Sequence, residues 1–309
     1  MARVLHMRLI SPAPRTAEAI AVLEDCQGVT NIVLVAGAAR TPPGDLVLCD
    51  VARESANEVI GRLGWLESEG SIAVETVDLS ISAVSDTAKD AAPGDGDDAV
   101  VWAGLAQRVY TDSRMTWSYF IFLAIATQLA AIGVLQNSPI LIVGAMVLGP
   151  EFGAVAAICF GLMHTRAHLV IYALKALIIG FGVAIAITFV CVYVSTWLGW
   201  VTPEMLDHDA EVQFIVKPDR WSFIVALLAG AAGVLSITSS KSTSLVGVFI
   251  SVTTVPAAGF LAVALALGRW SDASGSIVQL TLNIAGMVVA GTATLMIQRR
   301  FWPQSSHRG

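Results

Sequence analysis

Charge is scarce in this 309-residue chain: Asp, Glu, Lys and Arg make up 14% of it, against about a quarter in an ordinary soluble domain. The charges are also segregated, most of them lying before Arg114, so the net value of -6 says little as a total. There is no basic run with interleaved aromatics, which sets nucleic-acid binding aside. The four cysteines (Cys26, Cys49, Cys159 and Cys191) are far apart and form no Cys-x-x-Cys pair. They read as small hydrophobes in a reducing compartment, with neither a disulfide nor a metal role. The first ten residues lack an apolar core followed by a small-residue cleavage site, so no cleaved signal peptide is expected and the front of the chain should stay cytoplasmic. His-Glu-x-x-His, Gly-x-Ser-x-Gly, paired intramembrane aspartates and a Walker sequence are all missing, so neither an enzyme nor an ATP-driven pump is expected, and no cofactor is implied.

What the chain has in abundance is apolar sequence: 55% hydrophobic residues and a mean hydropathy of +0.72. A transmembrane helix needs about twenty mostly apolar residues. Six runs qualify, at 117–135, 140–163, 168–198, 221–239, 245–267 and 277–298. They predict a membrane α-helical bundle of about six spans over 116–300, with a tail at 301–309. Basic residues flanking the runs, Arg108, Arg114, Arg166, Lys241, Arg299, Arg300 and Arg308 on one side, predict both termini on the cytoplasmic side of the cell membrane. Lys217, Arg220 and Arg269 on the other side are diluted by Glu204, Asp207, Asp209 and Glu211.

The front, residues 1–84, alternates strand and helix signals. Leu5, Met7 and Leu9 alternate with His6 and Arg8, as a half-buried strand does. A helix over 14–26, strands over 32–35 and 46–51, a helix over 55–66 and a strand over 72–81 follow. The order βαββαβ is the ferredoxin-like arrangement, a fold that hosts ligand sensors and assembly modules alike. Residues 85–98 turn to Ala, Asp, Gly and Pro and read as a flexible linker. Residues 99–115 read as an amphipathic helix that lies at the interface or packs on a neighbouring subunit; self-assembly into a homo-oligomer is expected.

The two halves of the membrane region echo each other. Trp117-Ser118-Tyr119 matches Trp221-Ser222-Phe223, Gly133-Val134-Leu135 matches Gly233-Val234-Leu235, and Val143-Gly144 matches Val246-Gly247, with Pro150 and Pro256 after them. The spacing slips between landmarks. Three helices per unit make an inverted repeat, an architecture of secondary transporters in which broken helices meet near the midplane. Pro139, Gly149, Pro150 and Pro256 are the expected helix breaks. Glu151, about eleven residues into its span, is the main candidate for a proton or cation site, since a carboxylate at that depth must be protonated, paired or facing a cavity; a structural Glu bonded to a backbone carbonyl is the plain alternative. Lys175 pairs with it or snorkels. Asn137 and Ser138, and Ser240, Lys241 and Ser242, cap helix starts that suit an anion or serve as ordinary turns.

The run from Gln136 to Pro150, Gln-Asn-Ser-Pro-Ile-Leu-Ile-Val-Gly-Ala-Met-Val-Leu-Gly-Pro, resembles the hydrophobic membrane proteins of domain-of-unknown-function family 389. Leu245-Val246-Gly247-Val248 with Val255-Pro256 looks like that family's second landmark. The resemblance covers roughly residues 110 to 270. It departs from the family at Glu151, where an apolar residue is expected, and at Ala154, where many members carry a second Pro. It implies architecture and no site residues. Taken together, these readings predict a transporter or channel-like protein of the lipid bilayer for a small solute or ion, regulated through the cytoplasmic domain. The alternative is a non-transporting membrane sensor or scaffold whose cytoplasmic domain binds a ligand or partner.

Overall fold

A computed structural model describes residues 4–77, 80, 82–92, 99–206, 220–239 and 253–301. These fall into two compact units, the first taking residues up to 105 together with 238–239 and 298–301, the second 106–237 and those from 253 to 297.

In the first unit, period-2 burial along Val4–Ser11 (β1) sends Leu5, Met7 and Leu9 inward and leaves Arg8 exposed. Three further strands, Val29–Arg40 (β2), Pro43–Ala52 (β3) and Ser71–Thr76 (β4), complete a sheet of order β2-β3-β1-β4. All its pairings are antiparallel, with Met7 opposite Cys49 and Val74. Helices Thr16–Asp25 (α1) and Ala56–Arg62 (α2) supply Ala19, Leu23, Ala56 and Val59 to one core with the strands. Each fully buried Leu or Val there contributes about 1.5–3 kcal/mol. A single turn, Leu66–Glu69 (α3), precedes β4. β2 is longer than its apolar run because β3 continues to pair with it past two register shifts, Thr30/Val33 and Val35/Ala39.

The stretch read as a linker contains a helix, Ala83–Ala91 (α4). Alanine favours helix strongly enough to carry nine residues before Pro93-Gly94. Residues 99–102 are then strapped down: Asn57 donates to Val100 O (2.7 Å) and accepts from the Trp102 N–H (3.0 Å), and Arg53 donates to Ala99 O (2.8 Å). The expected amphipathic helix is Trp102–Asp112 (α5), with Trp102, Leu105 and Val109 buried and Tyr110 exposed.

The second unit is helical. Among the described residues, four helices are long and apolar enough to cross a membrane: Trp117–Leu135 (α6), Ala167–Trp197 (α9), Arg220–Thr238 (α10) and Trp270–Phe301 (α12). A fifth crossing is reached if Pro139–Leu148 (α7) and Glu151–Met163 (α8), bent by 51° at Gly149-Pro150, count as one span. Of the sixth expected run, 245–267, the described part is Thr254–Ala266 (α11), and 245–252 lie outside the described residues. The large side chains on the outer faces of the long helices, such as Ile121, Ile178 and Val289, are exposed. By contrast, nearly every residue of α8 and all but two of α11 are buried.

Helix bounds recur at one offset. Trp117–Leu135 and Arg220–Thr238 are both 19 residues, Glu151–Met163 and Thr254–Ala266 both 13, and Ala167–Trp197 and Trp270–Phe301 are 31 and 32. Each second helix starts 103 residues after the first, the separation of Glu151 from Thr254. The turns after α8 and α11 also correspond. Thr165 and Gly268 take positive φ (54° and 71°), and the next N–H closes on a carbonyl inside the helix, Arg166 on Gly161 and Arg269 on Ala264, both at 2.8 Å, as helix C-caps do.

Candidate functional site around Glu151

Gly149-Pro150 ends α7, and α8 begins at Glu151, so the carboxylate sits on the first residue of a helix at a bend. The first turn of a helix leaves its N–H groups without intrahelical partners and favours a negative charge. Glu151 is 4% exposed. Its Oε1 accepts a 2.6 Å hydrogen bond from the hydroxyl of Thr254, the first residue of α11. Two helix starts are therefore joined side chain to side chain. Oε2 is buried and has no hydrogen-bond partner among the described residues. Gly149 is needed here, since a Cβ at that position would meet Oε2 and, at 2.7 Å, Val255 Cγ2.

The neighbouring Thr253 extends the polar cluster to α12. Its hydroxyl oxygen accepts from Asn283 Nδ2 at 2.6 Å and from Gln279 Nε2 at 3.4 Å. Gln279 is fully buried and Asn283 2% exposed, and Gln279 Oε1 has no partner among the described residues. A carboxylate–hydroxyl pair and a hydroxyl held by two amides thus lie on adjacent residues at the start of α11, with partners from α8 and α12. Buried polar atoms left half-satisfied are costly, about 1–3 kcal/mol each, and such atoms call for an explanation. Chemically, the cluster can hold a proton on the carboxyl or offer oxygens to a small cation.

The other sequence candidates are placed elsewhere. Asn137 and Ser138 form the turn between α6 and α7: Asn137 takes φ 48°, and the Ser138 N–H closes on Gly133 O at 2.8 Å. Ser138 gives α7 no side-chain cap. Pro139 does not break a helix. It is the first residue of α7, where its missing N–H costs nothing. Pro256 lies in the first turn of α11, where proline is tolerated for the same reason. Lys175 is exposed on α9 and forms no ion pair with Glu151 among the described residues. Ser240, Lys241 and Ser242 lie outside the described residues. Thr253, Thr254, Gln279 and Asn283 were not among the sequence candidates. Gln279 and Asn283, amides four apart on a helix long and apolar enough to cross a membrane, are a signal that points to two of them.

The cavities among the described residues of this unit include two of several hundred Å³. One of about 350 Å³ is lined by Pro150, Phe152, Gly153, Arg108 and Asp112, among others. It touches the residues on either side of Glu151, while Glu151 itself lines neither cavity. The end of α5 sits against α8 here, since a Cβ at Gly153 would fall 2.7 Å from Asp112 O. The other cavity, about 400 Å³, lies between α6, α9 and the segment that follows α9.

Comparison with known proteins agrees with the resemblance and places it more closely. An uncharacterized protein of Methanocaldococcus jannaschii, MJ0678, is 23% identical over 192 residues, 61% of this chain and 58% of that protein, so the chain spans well under two thirds of that relative's length. No solved structure matches. A family model described as "Domain of unknown function (DUF389)" matches residues 146–289. That segment starts just before the bend and takes in Glu151, Thr253, Thr254, Gln279 and Asn283, and it makes residues 146–289 of this chain a DUF389 domain.

Proposed function

We propose that the chain is an integral membrane protein that passes a small solute or ion, with Glu151 as the group that binds or couples at its centre. The observation that carries this reading is the Glu151 carboxylate itself. It is buried at a helix bend, tied through one oxygen to a second helix start, and has no partner for the other oxygen among the described residues. An ionisable residue kept inside a membrane bundle is expensive and by default marks a pathway or relay.

The common offset of the helix bounds supports reading the unit as two copies of three helices, inverted because three crossings turn the second copy over. The antiparallel order β2-β3-β1-β4 supports a ferredoxin-like cytoplasmic domain, and the flanking basic residues support cytoplasmic termini. One observation favours a second reading, a non-transporting sensor or scaffold: α8 and α11 are packed nearly all round, and Glu151 lines neither cavity.

Flux in proteoliposomes across a panel of ions, organic anions and nucleosides decides between the two. The first reading expects pH-dependent flux of at least one solute, reduced at least tenfold by Glu151→Gln with folding retained. Absence of flux for the whole panel from folded protein, or full flux in Glu151→Gln, would overturn it.

A further inference from the structure

Among the described residues, the sheet of the first unit has two outer strands, β2 and β4. An outer strand presents a row of unpaired N–H and C=O groups, which proteins blunt with charge, proline or shortness. β4 is blunted: it is six residues long and carries an exposed Glu75. β2 is not. Residues 29–39 hold neither a charge nor a proline, and the consecutive Val33, Leu34 and Val35 are 48%, 47% and 43% exposed.

These three are also the regular middle of the strand, because its register shifts fall on either side of them, at Thr30/Val33 and Val35/Ala39. Val33 lies across from Leu48 and Val35 from Leu46, while Ile10 flanks Leu46 from β1. This is the face opposite the core, which takes Met7, Leu9, Val47 and Cys49. An apolar strip therefore runs across the sheet and off its β2 edge. Charge is placed at the two ends of that edge. Glu24 and Asp25, both exposed, come just before β2, and the exposed Arg40 closes it. Arg40 forms no ion pair among the described residues.

Such an edge is complementary to itself. Set antiparallel about Leu34, two β2 strands place Val33 against Val35 of the partner subunit and make the two apolar strips one. The same pairing brings the acidic start of each strand to the basic end of the other. A parallel pairing would set Arg40 beside Arg40. We propose that two copies of this chain associate through β2, their sheets continuing into one of eight strands across a twofold axis at Leu34. This assignment does not rest on the role given to Glu151.

Cross-linking across the axis supplies the test, in the full chain in detergent micelles. Cys191→Ser serves as the background, since Cys191 is exposed and the other three cysteines are buried. Opposed residues of an antiparallel pair have Cα atoms about 4.5–5.5 Å apart, within reach of a disulfide. Leu34→Cys should therefore oxidise to a covalent dimer, at least fivefold more than Glu75→Cys on β4. Val33→Cys and Val35→Cys, when mixed, should cross-link with each other more than with themselves. Without oxidant, the light-scattering mass should be that of two chains or a larger even number. Val33→Lys with Val35→Lys sets like charges opposite each other and should cut the Leu34→Cys dimer at least tenfold with the melting point kept. Arg40→Glu should cut it about threefold. A mass of one chain, a Leu34→Cys yield no better than that of Glu75→Cys, or a yield untouched by Val33→Lys with Val35→Lys would overturn the proposal. So would a two-chain mass without the Leu34→Cys cross-link, which would put the contact elsewhere on the chain.

Discussion

Among the described residues, each unit buries one carboxylate that accepts a hydrogen bond from a threonine, and the two are finished differently. In the first unit Asp45, 9% exposed, takes the Thr16 hydroxyl on Oδ2 and the Gly37 N–H on Oδ1, both at 2.7 Å. In the second unit Glu151 takes the Thr254 hydroxyl on Oε1 and nothing from the described residues on Oε2. Asp45 is complete and its role can be read off its partners. Gly37, at φ +64°, lies in the second register shift of β2, and the carboxylate pins that irregularity to the start of β3. Glu151 keeps one buried oxygen without a partner among the described residues, and that open acceptor is what the proposed function builds on. The two buried acids differ by one hydrogen bond.

That contrast gives opposite expectations for removing the charge. Asp45→Ala strips the acceptor from two donors at once and should loosen β2 and the start of β3, seen as faster amide hydrogen exchange across residues 29–46 in the full chain and a melting point lower by several degrees. Glu151→Gln keeps the shape, removes an unfinished buried carboxylate, and should leave thermal stability unchanged or raised, with the loss of flux that the proposed function expects. A Glu151→Gln chain that melts well below the parent would make this carboxylate structural too, and the comparison would collapse.

A smaller effect separates the two threonines. Thr254→Val leaves the Glu151 carboxyl without its only hydrogen bond from a described side chain, a loss of about 1–3 kcal/mol. Thr254→Ser should recover most of it. A double-mutant cycle with Glu151→Met, which removes the acceptor oxygen, should then show that the two changes are coupled rather than additive. Additive changes in melting point would mean that the two helix starts are not joined energetically across the unit.

How much of this was legible in advance follows from the range of the interactions. The alternation of Leu5, Met7 and Leu9 is local and it placed β1. The Gly149-Pro150 pair is local and it placed the bend. Pro139 misled for the opposite reason, since proline reads as a breaker wherever it falls, and only the helix bounds show that it sits in a first turn. α4 was hidden by its neighbours, because the Pro, Gly and Asp that follow Ala91 gave the whole stretch a linker's composition. Thr254 could not be found as Glu151's partner, since the pair is 103 residues apart and a threonine at a helix start looks like an ordinary cap. The repeat slipped when traced by matching residue types, as at Pro150 and Pro256. A constant offset puts Thr253, not Pro256, opposite Pro150, and the identities there share nothing.

The smallest expected effect is the response of the two acids to pH in the absence of flux. The Gly37 N–H, and after it the Thr16 hydroxyl, holds the Asp45 carboxyl below the ordinary carboxylate range. A group whose folded pKa is depressed adds stability above its unfolded value, about 3.9 for Asp, and loses it as pH falls through the folded value. Exchange of the β2 and β3 amides should therefore be flat from pH 7 down to about 5, after correction for the intrinsic rate, and rise only below about 4. In Asp45→Asn that acid limb should be absent. If the limb persists unchanged in the variant, Asp45 is not what ties the irregular part of β2 to β3, and a satisfied carboxylate can no longer serve as the reference against which Glu151 is judged incomplete.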